Sequence, residues 1–388
     1  MKVTVSVFGR FHAFDLAHQL EKRGVLQQLI TTYPKREVFK YGIPPTKVNS
    51  LLTHELVARG WNKFPSKLTF DINAQFWLHE RFDKAASKLV SPESDLYIGW
   101  ASFSEQGLQK AKAYKAVTIV ERGSSHIEYQ RDILREEYER HGLQPHLPHP
   151  KVIEKEKREY DLADYISVPS EFVRRTFLGK GFPEDKLIKV PYGVDLSNFN
   201  RSPQEPHIFR ILYVGTMSLR KGVHYLMQAF AKLQLHNAEL WLVGHKLPEI
   251  DPFFREYEGC FRYFDPVPQN ELPNYYSQCS VFALCSIEEG MAMVQAQAMA
   301  CGLPLVCTTN TGGEDLVTHG QEGFVVPIRD VEAIKENLLY LYEHPDVCRM
   351  MGEAAKWRIQ QGFTWDDYGG KIHKEYQRAL ANKHQSAR

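Results

Sequence analysis

The chain begins with VTVSVF (Val3 to Phe8), a β-branched run that stops at Gly9. It continues with HAFDLAHQLEKRG, whose apolar positions recur at helical spacing as far as Gly24. This pattern predicts a strand, a glycine-containing turn and a helix with a glycine stop. Similar short apolar runs follow at DLYIGW (Asp95 to Trp100), AVTIV (Ala116 to Val120) and YISVPS (Tyr165 to Ser170), with helical stretches between them. Strands that alternate with helices predict a parallel sheet with helices on its faces. Proline and polar residues then accumulate from Pro191 through SPQEPH (Ser202 to His207), and the pattern restarts at RILYVG (Arg210 to Gly215). A domain boundary near residue 200 is expected there.

The second half repeats the grammar. ILYVG is a strand, KGVHYLMQAFAKL a helix with Val223, Leu226, Ala229, Phe230 and Leu233 on one stripe, and ELWLVG (Glu239 to Gly244) the next strand. After the helical ELPNYYSQC come SVFALCS, a small-residue helix ending at Gly302, PLVCTT and GFVVP. Two α/β domains facing each other across a cleft are expected. Ligands in such sheets bind beyond the carboxyl ends of the strands, where GTMSLRKG, VGHK and SIEEG fall.

Composition narrows the classes. With 388 residues, 43% of them hydrophobic and 24% charged, the chain reads as an ordinary globular protein long enough for two domains. The start MKVTVSVFGR has too short an apolar core for a secretory signal, and no run approaches the ~18 to 20 residues of a membrane span. A cytoplasmic address is expected. Six cysteines, between Cys260 and Cys348, show no CxxC spacing, which predicts reduced thiols and no zinc site built on them. A net charge of +1 carries no nucleic-acid signature. The first fifty residues nevertheless hold eight Lys/Arg against three Asp/Glu, which is either solvated surface or a face for an anionic acceptor or membrane.

Four stretches, in order, resemble the retaining glycosyltransferases of family 4. They are ADYISVPSEFVRRTFLGKGFPEDKLIKVPYGVDLSNF (Ala163 to Phe199), ILYVGTMSLRKGVHYL (Ile211 to Leu226), EEGMAMVQAQAMACGLPLV (Glu288 to Val306) and FTWDDYGGKIHKEYQRAL (Phe363 to Leu380). The resemblance implies the α/β fold called GT-B, with two Rossmann-like, doubly wound domains. The expected division is an acceptor-side domain over 1–200, a nucleotide-sugar domain over 205–362, and a final helix in 363–388 that packs back on the first domain.

Glycosyl transfer from a nucleotide sugar builds negative charge on the departing diphosphate, so cations or N–H groups must face it. The resemblance assigns that work to Arg220 and Lys221, at the start of a helix whose N-terminal N–H groups add to it. Gly215 and Thr216 belong to the same loop, and Thr216 stands where many relatives carry an arginine. Register with the family's E-x7-E motif places Glu289 on the donor sugar and Gln297, a glutamate in most relatives, on the ribose. Backbone at Gly290, Met291 and Ala292 is expected to approach the diphosphate, with Val294 in the same wall. Glu288 is read as an exposed neighbour, Gln295 as either structural or supporting the site from one layer behind it, and Cys301 as a small buried residue.

On the first half, Gly9, Arg10 and His12 are candidates for acceptor contact, while GWASFS (Gly99 to Ser104) and SEF (Ser170 to Phe172) are expected to line the cleft. Arg122 falls where many relatives have a histidine near the donor sugar, and His126 either takes that role or lies on the surface. No G-x-G-x-x-G fingerprint and no DxD motif occur, so neither a nicotinamide nor a carboxylate-held metal is expected. The resemblance implies sugar transfer from a nucleoside diphosphate sugar to a glycan or lipid-linked hydroxyl acceptor, with retention, in cell-surface glycan assembly. No cofactor and no nucleic acid are expected, and reversible contact with a membrane surface is. The alternatives are a nucleotide-sugar epimerase of the same fold and a donor-binding protein with impaired catalysis.

Overall fold

The computed structural model describes residues 1–53, 74–199 and 208–386. Among these, two all-parallel sheets carry the architecture. The first runs through β1 (Val3–Val7), β2 (Leu26–Thr31), β3 (Val48–Ser50), β4 (Leu96–Trp100), β5 (Val117–Glu121), β6 (Tyr165–Val168) and β7 (Leu187–Lys189), in the spatial order β3-β2-β1-β4-β5-β6-β7. The second contains β8 (Phe209–Val214), β9 (Ala238–Val243), β10 (Arg262–Phe264), β11 (Val281–Leu284), β12 (Leu305–Thr308) and β13 (Gly323–Val326), in the order β10-β9-β8-β11-β12-β13. Every residue of β1, β4 and β5 is buried, as expected of strands covered on both faces by helices.

Both sheets have the doubly wound order, and each has one place where the winding reverses. In the first it lies between β1 and β4, in the second between β8 and β11. Loops leaving the carboxyl ends of those strand pairs diverge and open a crevice, the usual ligand position in open α/β sheets. Two Rossmann-like domains of GT-B type are therefore present. The expected boundary near residue 200 lies outside the described residues. The last helix, Trp365–Ser386, lies against the first half along the Ala13–Lys22 helix, where Asp366 pairs with Lys22 at 2.7 Å and accepts from Gln19.

Short strands marked the limit of the apolar pattern. LQQLIT in β2 has polar positions in mid-strand, and β3, β7 and β10 are three residues each, too short to show a period.

Candidate functional site at the switch point of the second sheet

The loop after β8 is held in a fixed shape by its own backbone. Gly215 donates its N–H to Val243 at 2.9 Å, Met217 to His245 at 2.7 Å, and the Tyr213 hydroxyl donates to the Thr216 carbonyl at 2.9 Å. Gly222 then starts the Val223–Leu233 helix with φ +61°, and a Cβ there would lie 1.8 Å from the Cys285 carbonyl oxygen. Only glycine lets this loop press against the end of β11. That pressing brings Lys221, from the loop after β8, into an ion pair with Glu289, from the loop after β11. Glu289 is fixed by its N–H to the Asn310 carbonyl at 2.9 Å.

The two side chains are mostly covered, 22% and 16% exposed. Burial, and then the Arg220 guanidinium, push the Lys221 ammonium down to about 7, while Glu288 acts to raise it. The contact with Glu289 also opposes the depression, so the charge on Lys221 depends on where that carboxylate points. Thr216 is exposed on the same loop.

Glu288 is not the exposed neighbour that its sequence position suggests. It is fully buried and reaches across to the first half. There it accepts from Ser124 Oγ at 2.6 Å, Ser125 N at 3.0 Å, Ser125 Oγ at 2.7 Å and Gln130 Nε2 at 3.0 Å. Arg220 Nε completes the set at 2.8 Å, and its other nitrogens include a donor to Ser124 Oγ at 3.2 Å. Burial acts to raise this carboxyl, but Arg220 and the serines hold it down at about 2, a full charge at any ordinary pH. Arg220 is thus anchored at the join of the two halves beside Lys221.

Gly290 also has a different reason for being glycine than close approach to phosphate. A Cβ there would stand 1.7 Å from the Gly123 carbonyl oxygen, and its own carbonyl accepts from Ser170 Oγ at 2.6 Å. The halves touch backbone to backbone at this residue. Met291 and Ala292 are buried behind it, and Met291 Sδ accepts from the Tyr192 N–H at 3.4 Å. Gln297, 5% exposed on the Met293–Ala300 helix, has its side-chain oxygen facing the Tyr276 hydroxyl at 3.3 Å; the same hydroxyl faces the Val294 carbonyl. Gln295 is structural, bonding Thr311 through both ends of its amide.

In the first half the sequence candidates separate. Gly9, Arg10 and His12 lie together in the loop after β1, at the switch point of that sheet. His12 is 7% exposed, packed between Trp100 and Tyr192 with ring centroids at 4.9 and 4.2 Å, and its Nε2 is 3.5 Å from Glu121. Arg10 donates to the Tyr41 hydroxyl. Arg122 turns inward: its guanidinium meets Glu156 at 3.1 Å, Gln130 at 2.9 Å and the Ser125 carbonyl at 3.0 Å. His126 neither lies on the surface nor faces Glu289. It is 2% exposed, caps the Ile127–Arg140 helix through Nδ1, and sits among Tyr160, Phe177 and Phe182; burial pushes it down to about 4, so it is neutral. Of the two expected cleft-lining stretches, SEF supplies Ser170 to Gly290, whereas Ser102 N donates at 2.6 Å to buried Glu159.

Sequence reasoning missed Ser124, Ser125 and Gln130, which receive Glu288, and Glu121 beside His12. Only the SS pair following Gly123, directly after a strand end, marked the region in the sequence.

Residues 208–344, the span that supplies both loops of the Lys221–Glu289 pair, match the family model described as Glycosyl transferases group 1. The chain has a GT-B fold and is related to the group 1 glycosyl transferases. O-antigen chain mannosyltransferase B of Escherichia coli is 29% identical over 243 residues, 56% of this chain and 63% of that protein, so the alignment spans less than two thirds of the relative. Sucrose-phosphate synthase from Thermosynechococcus elongatus superposes with a TM-score of 0.72 at 17% identity, over 98% of this chain and 100% of that one. Anabaena HepE, solved in complex with UDP and glucose, gives 0.67 at 16% identity, over 97% and 99%. At such identities the structures establish the GT-B fold. The relation to group 1 transferases rests on the second half, where the Lys221 and Glu289 loops lie.

Proposed function

We propose that this protein is a retaining glycosyltransferase that moves a hexosyl group from a nucleoside diphosphate sugar to a hydroxyl acceptor in glycan assembly. The observation that carries the reading is the meeting of Lys221 and Glu289 from the two loops that flank the switch point of the second sheet. A cation and a carboxylate at that crevice match the two ends of the donor. Lys221, with Arg220 and the N–H groups at the start of the Val223–Leu233 helix, faces the diphosphate, and Glu289 accepts from hydroxyls of the sugar. Gly215 and Thr216 border the nucleotide, with Gln297, Val294, Met291 and Ala292 behind it.

In the proposed reaction the bond from the anomeric carbon to the diphosphate oxygen breaks, and the acceptor oxygen bonds to that carbon on the same face. The acceptor proton passes to the departing diphosphate oxygen. Lys221 stabilises the charge that grows there, so no protein nucleophile is required and no metal is needed for the chemical step. The HepE complex with UDP and glucose and the mannosyltransferase relative both support a hexose donor.

In this reading the acceptor meets the first half near Gly9, Arg10 and His12. Phe11 and Phe39 are 58% and 61% exposed, and Arg10, Lys35, Arg36 and Lys40 are exposed around them. A basic face with apolar points suits a lipid-linked or anionic acceptor at a membrane surface, and no helix among the described residues is long and apolar enough to cross one. The basic excess is smaller than it looks, because Lys2, Lys22, Lys40 and Lys47 pair with Glu93, Asp366, Glu37 and Glu21.

Incubation with UDP-, GDP-, ADP- and CMP-sugars, followed by proton NMR, tests the reading. Slow release of the hexose in the donor's own anomeric form is expected. Release of the epimer instead indicates the epimerase, and binding with no turnover of any donor in the presence of glycan acceptors indicates an inactive donor-binding protein.

A further inference from the structure

Away from the Lys221–Glu289 pair, Glu137, His141 and His224 bring one carboxylate and two imidazoles together, with the three ligand atoms within 4.8 Å of one another. Glu137 is in the last turn of the Ile127–Arg140 helix of the first half, His141 is the C-cap residue just after it, and His224 is at the start of the Val223–Leu233 helix of the second. We infer that these three residues form a zinc site that clamps the two halves together and fixes the loop bearing Lys221. This does not rest on the donor reading.

The distances fit. Ligands in a tetrahedral zinc site stand about 3.3 Å from one another. Glu137 Oε1 is 3.1 Å from His224 Nε2 and 3.4 Å from His141 Nε2. The site is enclosed on most sides: Glu137 is fully buried, His224 is 3% exposed, and the Phe253 ring lies 5.2 and 4.9 Å from the two imidazoles. His141 Nε2 is buried and makes no hydrogen bond among the described residues, with Glu137 Oε1 3.4 Å away. The other Glu137 oxygen accepts from Arg329 Nε at 2.6 Å, which orients the carboxylate as an outer partner orients a metal ligand. Arg329 also pairs with Glu136 at 3.0 Å, so its charge beside a cation is shared between two carboxylates. The Tyr225 hydroxyl donates to Glu137 Oε1 at 2.9 Å, and in the proposed site water completes the fourth position.

Imidazole nitrogens with a carboxylate select zinc among the common divalent ions over magnesium or calcium, which take oxygen. Because His224 follows Lys221 by three residues, a cation here holds the start of the helix on which Lys221 sits. The role is structural and leaves the chemical step metal-free.

Untagged full-length protein, stripped with chelator and dialysed, is titrated with Zn2+ by calorimetry. One equivalent is expected to bind and to raise the melting temperature. His141→Gln, at a partly exposed position, and His224→Gln are each expected to weaken binding at least about tenfold. Should His224→Gln not fold, Co2+ on the wild type decides, with the visible bands of a tetrahedral nitrogen and oxygen site expected. Absence of zinc binding, undiminished binding in His141→Gln, or cobalt bands of thiolate ligation would each overturn the site. The cluster would then be a hydrogen-bonded group in which Arg329, Tyr225 and His224 satisfy Glu137.

Discussion

Arg220 Nε lies 2.8 Å from Glu288 Oε2, and the same carboxylate accepts three hydrogen bonds from Ser124 and Ser125 on the other half of the molecule. One buried charge thus ties the loop that carries Lys221 to the first sheet. Glu288→Gln keeps the shape but removes the charge, leaving Arg220 without its partner. A stability loss of about 2 kcal/mol is expected, below the range for a fully buried pair because a third of Arg220 remains in solvent. The folded carboxyl is held below its unfolded value. Its contribution is therefore complete above the ordinary carboxylate range and is lost as pH falls from about 4.5 towards about 2. Melting temperatures of variant and wild type are expected to converge over that window; a gap that stays constant from pH 6 to pH 3 contradicts the assignment.

Gly290→Ala places a methyl group against the Gly123 carbonyl, which is backbone and cannot step aside. The halves are expected to separate at this point, with each sheet intact. Small-angle scattering is expected to show a larger radius of gyration and donor turnover to fall more than about tenfold, because a misplacement of about 1 Å suffices for that. Unchanged scattering with normal turnover would mean that the halves do not need this contact.

Much of the fold is readable from short runs such as VTVSVF and ILYVG, because buried parallel strands need β-branched residues and end in glycine. Strand order is not readable, since it depends on which segments pair in space, and with it go the switch points. In the loop EEG the two glutamates look alike, and family register alone separates them. What makes Glu288 an internal tie is Ser125 and Gln130, some 160 positions earlier and folded underneath it. Arg122 misleads for the same reason: Glu156, on another helix, turns it away from the cleft.

Lys221 supplies a prediction about protons. Burial and the Arg220 guanidinium push its ammonium down to about 7 where Glu289 is not paired with it, so at pH 8 the unpaired ammonium is partly neutral, and a bound diphosphate restores the charge. Binding of nucleoside diphosphate is expected to take up a proton at pH 8 and almost none at pH 6, with affinity falling between the two. Calorimetry in buffers of different ionisation enthalpy measures this. Equal uptake at both values, or uptake at pH 8 that survives in Lys221→Ala, would rule it out.

Gln297 and Glu289 are expected to separate in their effects. Glu289→Gln depresses turnover and weakens discrimination between donor sugars, whereas Gln297→Glu changes nucleotide affinity by about 1 kcal/mol through charge-assisted acceptance from the ribose. The Tyr276 hydroxyl beside it can donate to either residue. Identical nucleoside diphosphate affinity in wild type, Gln297→Glu and Gln297→Ala would remove Gln297 from the site.

Phe39 and the basic residues around it predict salt-sensitive flotation with anionic liposomes, each basic group contributing about 1 kcal/mol near the surface. Phe39→Ser is expected to reduce the bound fraction at low salt without changing turnover of a soluble acceptor. Equal flotation with neutral and anionic vesicles would set the membrane face aside.

The central claim is that the switch point of the second sheet holds the donor diphosphate against Lys221. Its most direct measurement is a titration of the turned-over nucleotide sugar, and of its nucleoside diphosphate, into wild type and Lys221→Ala, with turnover followed in the same preparations. A tenfold or greater loss of diphosphate affinity and a fall in turnover of ~10² or more, with the melting temperature preserved, are predicted. Affinity and turnover equal to wild type in Lys221→Ala would contradict it.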